Sequence, residues 1–112
     1  MDEIYIDVAD ICWTTECMDE QDGNMLNFEL DHSLSKGKNV TLNFGSVTKM
    51  TSVFLEAAIG NLYELYKTEV IEEKLKFVGL DPVGAEMVRS VVNLAKDECL
   101  GRGVSKKMEV SE

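Results

Sequence analysis

Val40-Thr-Leu-Asn-Phe-Gly-Ser-Val-Thr-Lys-Met-Thr-Ser-Val-Phe-Leu-Glu-Ala-Ala-Ile-Gly60 changes its hydrophobic period partway along. Val40, Leu42 and Phe44 alternate with Thr41 and Asn43. That is the pattern of a strand with one side against helices and Asn43 on the other. Gly45-Ser46 interrupts it, and from Thr51 onward Leu55, Ala58, Ile59, Leu62, Leu65 and Tyr66 follow a helical stripe. The spacing predicts an amphipathic helix of about three turns. A strand that runs through a short turn into such a helix is half of a β-α-β unit.

The flanks supply the other halves. Ile4, Ile6 and Val8 alternate with Tyr5, Asp7 and Ala9, predicting a first strand that continues toward Ile11. Met25, Leu26, Leu30 and Leu34 recur at helical spacing from about Asp22 to Lys36-Gly37, where glycine can close the helix. Leu75, Phe77, Val78 and Leu80 form a short β-prone run after Glu72-Glu73-Lys74. Asp81-Pro82 then offers a capping side chain and a proline at the first helical position. The helix that follows carries Val83, Met87, Val88, Val91, Val92 and Ala95 on one face and is expected to close at Gly101-Arg102-Gly103. The order β-α-β-α-β-α predicts an α/β domain with a mostly parallel sheet and right-handed crossovers. One domain over 1–103 is expected, with a mobile tail over 104–112. The stretch between the first strand and first helix fits either an extra edge strand near Ile11 to Trp13 or an irregular loop. Trp13 is expected in the core, since large aromatics usually bury; exposed, it would be an interface candidate.

The chain has 112 residues, 45% of them apolar, which suits a single core. No run approaches the roughly 20 apolar residues of a membrane span, and Met1-Asp2-Glu3 lacks a basic signal-peptide start, so a cytoplasmic protein without a membrane partner is expected. Cys12, Cys17 and Cys99 have no CxxC spacing, and with His32 as the one histidine they read as free thiols. The net charge of −10 lies at the front, because residues 1–35 hold no Lys or Arg. Such a field repels nucleic-acid phosphates and steers basic protein surfaces toward the chain.

The quoted segment resembles the core of a STAS-like domain, the fold of bacterial anti-sigma factor antagonists, and is most similar to the STAS-like family of unknown function. In both groups a hydrophobic strand ending in an acidic or amide residue leads through a short turn and a Ser/Thr-rich step to an apolar helix. Leu75-Lys-Phe-Val-Gly-Leu80, the closing helix, and Asp22-Gly23 ahead of Leu26 extend the likeness. The resemblance implies a single mostly parallel sheet with helices mainly on one face. It also implies a regulatory role through protein contacts, with a histidine-kinase-like ATPase as the kind of partner. In the antagonists a serine at the start of this helix is phosphorylated, and Ser52 stands at that position with Thr51 in place of the preceding aspartate. This sequence departs from the antagonist pattern, with Thr51-Ser52-Val53-Phe54 where Asp-Ser-Ser-Gly is usual and Asn43 where the strand has aspartate.

The candidate contact or phospho-acceptor residues are therefore Thr51, Ser52 and Phe54, together with Ser46, Thr48 and Lys49 in the preceding loop. A hydroxyl at a helix start caps unpaired N–H groups, and a phosphate there adds nearly two negative charges to a contact surface, so capping and switching call for the same residues. A second reading makes the chain an acidic inhibitor or decoy, with Asp19, Glu20 and Asp22 facing a basic target. The run Asp19 to Gly23 lacks EF-hand spacing, and no metal is assigned to it. His32 is expected on a solvated helix face. With no GxGxxG, P-loop, GxSxG or HExxH, no cofactor is expected and no enzyme is assigned. Exposed sheet edges are compatible with both a monomer and a homodimer.

Overall fold

A computed structural model describes the backbone of residues 3–110 and the side chains of residues 3–97. Three strands, β1 (Glu3–Asp7), β3 (Asn39–Asn43) and β5 (Leu75–Val78), form a parallel sheet with β3 in the centre. Between them run α1 (Val8–Cys12), β2 (Glu16–Cys17) and α2 (Glu20–Ser35), and then β4 (Lys49–Met50) and α3 (Ser52–Leu55). A π-helical turn over Glu56–Gly60, α4 (Leu62–Leu65), α5 (Thr68–Lys74) and, after β5, α6 (Pro82–Val110) complete the order.

The register explains why the helices share one side. Ile4 pairs with Val40 and Val40 with Leu75, while Ile6 pairs with Leu42 and Leu42 with Phe77, so the apolar side chains of all three strands share a face. Tyr5, Thr41 and Lys76 fall on the opposite face, where Tyr5 is 65% exposed. Most parallel sheets are covered on both faces. Here the second face carries Glu3, Asn39, Asp7 and Asn43, which water can satisfy. The expected α/β domain with helices mainly on one face is the architecture observed. Its core gathers Leu26, Leu30, Leu42, Phe54, Leu55, Ile59 and Leu62, each essentially without exposure.

The structure departs from expectation in five places. β1 stops at Asp7, because the Asp7 carboxylate accepts from the Ala9 N–H at 3.2 Å and starts α1. The stretch after Ile11 is neither a strand near Trp13 nor a plain loop: α1 ends at Cys12, and Glu16–Cys17 pairs in parallel with Lys49–Met50. In that same stretch Trp13 is 89% exposed rather than buried. It closes α1 in the left-handed region at φ 61°, and its N–H donates to the Ala9 carbonyl, which aims the indole outward.

The third departure is the helix after Thr51, which is not one regular stripe. Across the π turn the Asn61 N–H donates to the Glu56 carbonyl at 3.1 Å, adding one residue to the turn. The added residue rotates the downstream face, so Tyr63 is buried and Leu65 is 56% exposed. Side-chain amides serve carbonyls at the turn: Asn27 donates to Ala58 at 3.1 Å and Asn61 to Ala57 at 3.2 Å. Gly23 on α2 crosses here, and a Cβ on it would stand 2.5 Å from the Phe54 carbonyl oxygen. Fourth, α5 lies in a segment whose sequence showed charge but no clear period. Fifth, the α6 backbone continues past Gly101-Arg102-Gly103 to Val110. The side chains of the expected tail over 104–112 lie outside the described residues.

Tyr66 joins α4 to α2 by donating its hydroxyl to the Asp31 carboxylate at 2.6 Å. Burial and Asp31 push the Tyr66 phenol up to about 12, and burial with Glu72 pushes Tyr63 up to about 12. Both folded values lie above the ordinary phenol value near 10, so the folded chain holds these protons longer than the unfolded one. The stabilisation is complete below about pH 10 and is lost as pH rises through about 12. Urea midpoints are expected to fall between about pH 9 and about pH 11.5, less steeply in Tyr66→Phe. At neutral pH that variant is expected to lose about 1–2 kcal/mol with the hydrogen bond.

Candidate functional site

The ends of β3 and β5 lie side by side, and the chain leaves each through a tight turn. After β3 the Gly45 N–H donates to the Asn43 side chain at 2.9 Å and the Phe44 N–H to the Val78 carbonyl at 2.9 Å. After β5, Gly79 adopts φ 78°, and a Cβ there would stand 2.6 Å from the Gly45 nitrogen. Only glycine allows the two turns to approach this closely. α6 then starts with the Asp81 carboxylate accepting from the Gly84 N–H at 2.7 Å, with Pro82 at the first helical position.

Above these turns opens a cleft of about 480 Å³. Phe44 is part of its lining, and Met18, Val47, Met50, Leu80, Val83 and Met87 contribute most of its apolar side chains. A second cleft of about 520 Å³ is lined by Ser52, Pro82, Val83, Glu86, Met87, Ser90 and Val91. Val83 and Met87 line both, so the two adjoin as one groove along the first turns of α6. Val83 is 69% exposed, a large apolar area to leave in water. Thioether side chains adapt to irregular apolar surfaces, and here three of them meet in one cleft.

Thr51 caps α3: its hydroxyl accepts from the Phe54 N–H at 3.2 Å and donates to the Met18 carbonyl at 2.5 Å. Ser52 follows as the first helical residue, exposed and lining the second cleft. Thr48 and Lys49 line the first cleft; the Thr48 hydroxyl donates to the Thr15 carbonyl at 3.1 Å, and Lys49 pairs across the ladder with Glu16. Ser46 is exposed at the turn but is not among the lining residues. Phe54, expected as a contact, is instead fully buried, because its ring belongs to the core cluster and only its N–H serves the cap.

The acidic residues sit at the start of α2, directly after Met18. Asp19 is its cap, accepting from the Asp22 N–H at 3.0 Å, with Glu20 exposed beside it. Burial and the neighbouring Asp19 carboxylate raise Asp22 above the ordinary carboxylate range. Among the described residues no group of three or more His, Cys, Asp or Glu gathers to hold a metal ion. His32 is exposed in the last turn of α2. No helix among the described residues is long and apolar enough to cross a membrane.

Met18, Met50, Val83 and Met87 were not legible as site residues. Met18 follows Cys17, which pairs with Met50 in a ladder two residues long, and so short a ladder leaves no period in the sequence. Val83 and Met87 share the apolar stripe of α6, and the stripe does not tell that its first turns overhang the sheet end.

No curated protein and no solved structure matches the chain. The family model of the STAS-like domain of unknown function (DUF4325) matches residues 22–85, from the first turn of α2 through β3, the Thr51-Ser52 step and β5 to the first turn of α6. With more than half of its length matched, and with the parallel sheet and the turn-to-helix step in place, the chain belongs to the STAS-like domain family.

Proposed function

We propose that this protein is a regulatory protein-binding module rather than a catalyst, and that its groove receives an apolar segment of a partner flanked by basic residues. The observation that carries this reading is the groove itself, in which Met18, Met50, Val83 and Met87 adjoin an exposed serine at a helix start. The apolar lining supplies affinity, and Asp81, Glu86 and the nearby Asp19 and Glu20 favour positive charge at the rim. A phosphate on Ser52 would add nearly two negative charges at the groove's edge, and recognition would change through repulsion and desolvation without a change of fold. The likeness to anti-sigma factor antagonists makes a histidine-kinase-like ATPase of the host the partner class, with binding in the cytoplasm.

A second reading, the acidic decoy, is favoured by the exposure of Asp19 and Glu20 alone. Calorimetric titration of the purified chain with such an ATPase separates the two. Val83→Glu is expected to weaken binding by about tenfold or more, since it places a charge where an apolar anchor seats. Neutralising Asp19, Glu20 and Asp22 together is expected to matter only at low ionic strength. A silent Val83→Glu beside complete loss in the neutralised variant would support the decoy and overturn the groove.

A further inference from the structure

α6 packs on α3, the π turn and α4 with one face, where Val88 and Val91 are buried. The neighbouring face holds Val83, Met87, Ser90 and Leu94, of which Val83 is 69% and Leu94 50% exposed. These four are spaced by four, three and four residues, the spacing of a coiled-coil seam. The same alternation continues in the sequence through Asp97, Gly101, Val104 and Met108. The α6 backbone stays helical past all of them, to Val110. At 1.5 Å per residue, the helix from 98 to 110 adds about 20 Å beyond Asp97. A helical stretch that short is marginal in water on its own, and Gly101 and Gly103 weaken it further. Its continuity calls for a surface to lie along.

We propose that two copies of the chain associate through this stripe, with their α6 helices antiparallel about a two-fold axis. A parallel pair would set Asp97 level with the second copy's Asp97, two like charges in the seam. The antiparallel register with its axis between Leu94 and Asp97 avoids this. It sets Val83 level with the second copy's Met108, Met87 with Val104, and the small residues Ser90 and Gly101 with each other. Leu94 then stands level with Asp97, a polar position that costs stability and fixes the register. Beside the seam, Glu86 comes level with the second copy's Lys107, an attraction of unlike charges. The two-fold axis repeats every pairing, so the contact closes as a dimer. Val83 and Met87 also line the groove, so the dimer covers the ground on which another protein would dock. That consequence rests on the groove reading above; the dimer does not.

Sedimentation equilibrium of the full-length chain, from low to high micromolar concentration, is expected to reach twice the 12.5 kDa chain mass. Leu94→Glu and Val104→Glu are each expected to leave a monomer that still unfolds cooperatively in urea. Ser90→Cys and Gly101→Cys, both made with Cys99→Ser, are then mixed and oxidised. A cross-linked dimer is expected from the mixture and from neither variant alone. A monomer at every concentration, a dimer that persists in both Glu variants, or a cross-link in Ser90→Cys alone would overturn the proposal. The cross-linked dimer is expected to bind the ATPase about tenfold more weakly than the Val104→Glu monomer. Equal affinity would overturn only the covering of the groove. No binding by the monomer would overturn the groove reading and leave the dimer standing.

Discussion

Phe54→Ala is expected to lower the free energy of unfolding by about 3–5 kcal/mol, the range for removing a fully buried aromatic side chain. Most of a small domain's stability is of that size, so the variant is expected to be largely unfolded at room temperature. Urea denaturation followed by far-ultraviolet circular dichroism measures it. Two positions earlier, Ser52→Ala is expected to stay within about 0.5 kcal/mol of wild type, because the serine is exposed and Thr51 supplies the cap. The pair divides one short helix into a side that builds the core and a side that faces a partner. A loss of under about 1 kcal/mol in Phe54→Ala would contradict the packing described.

Gly79→Ala is expected to cost about 2–4 kcal/mol, from the left-handed backbone and from overpacking together. At φ 78° the added Cβ would stand 2.5 Å from the Asn43 side-chain oxygen and 2.6 Å from the Gly45 nitrogen. Backbone cannot yield as a flexible side chain would, so β3 and β5 must separate at the ends where the groove opens. Gly37→Ala is the control: its φ is 76°, but nothing lies within 4 Å of the added atom. It is expected to lose only the conformational part, about 1 kcal/mol. Equal losses in the two variants would mean that the turns after β3 and β5 are less closely packed than described.

What the sequence revealed follows from the range of its signals. The alternation in Ile4 to Val8 and in Val40 to Phe44 and the stripe over Leu26, Leu30 and Leu34 come from burial on one side of a regular element. β3 and α2 are where the alternation and spacing place them, and β1 begins where expected but ends at Asp7, whose side chain caps α1. Asp81-Pro82 and Thr51 cap helices as their chemistry requires. The misreadings come from long-range geometry. Gly23 packs closely against Phe54, Ala57 and Ala58 at the π turn, and a helical stripe carries no trace of that crossing. Trp13 is turned outward by one left-handed residue, which no local preference of tryptophan announces. The candidate site was legible in its polar part, at Thr51, Ser52, Thr48 and Lys49. Its apolar part was not, since Met18, Met50 and Met87 come from three distant segments. Phe54 was misplaced because position along a helix start does not say which way a side chain turns.

The central claim is that a partner docks along the first turns of α6, between the Met50 and Ser52 segments. A photo-crosslinking amino acid placed at Val83, and separately at Phe28, tests it most directly. Phe28 is 70% exposed on α2 and lines neither cleft. Expressed in the native host, the Val83 probe is predicted to capture an apolar segment flanked by Lys or Arg, and to lose it when Met87→Glu is added. Capture through Phe28 with none through Val83 would contradict the account.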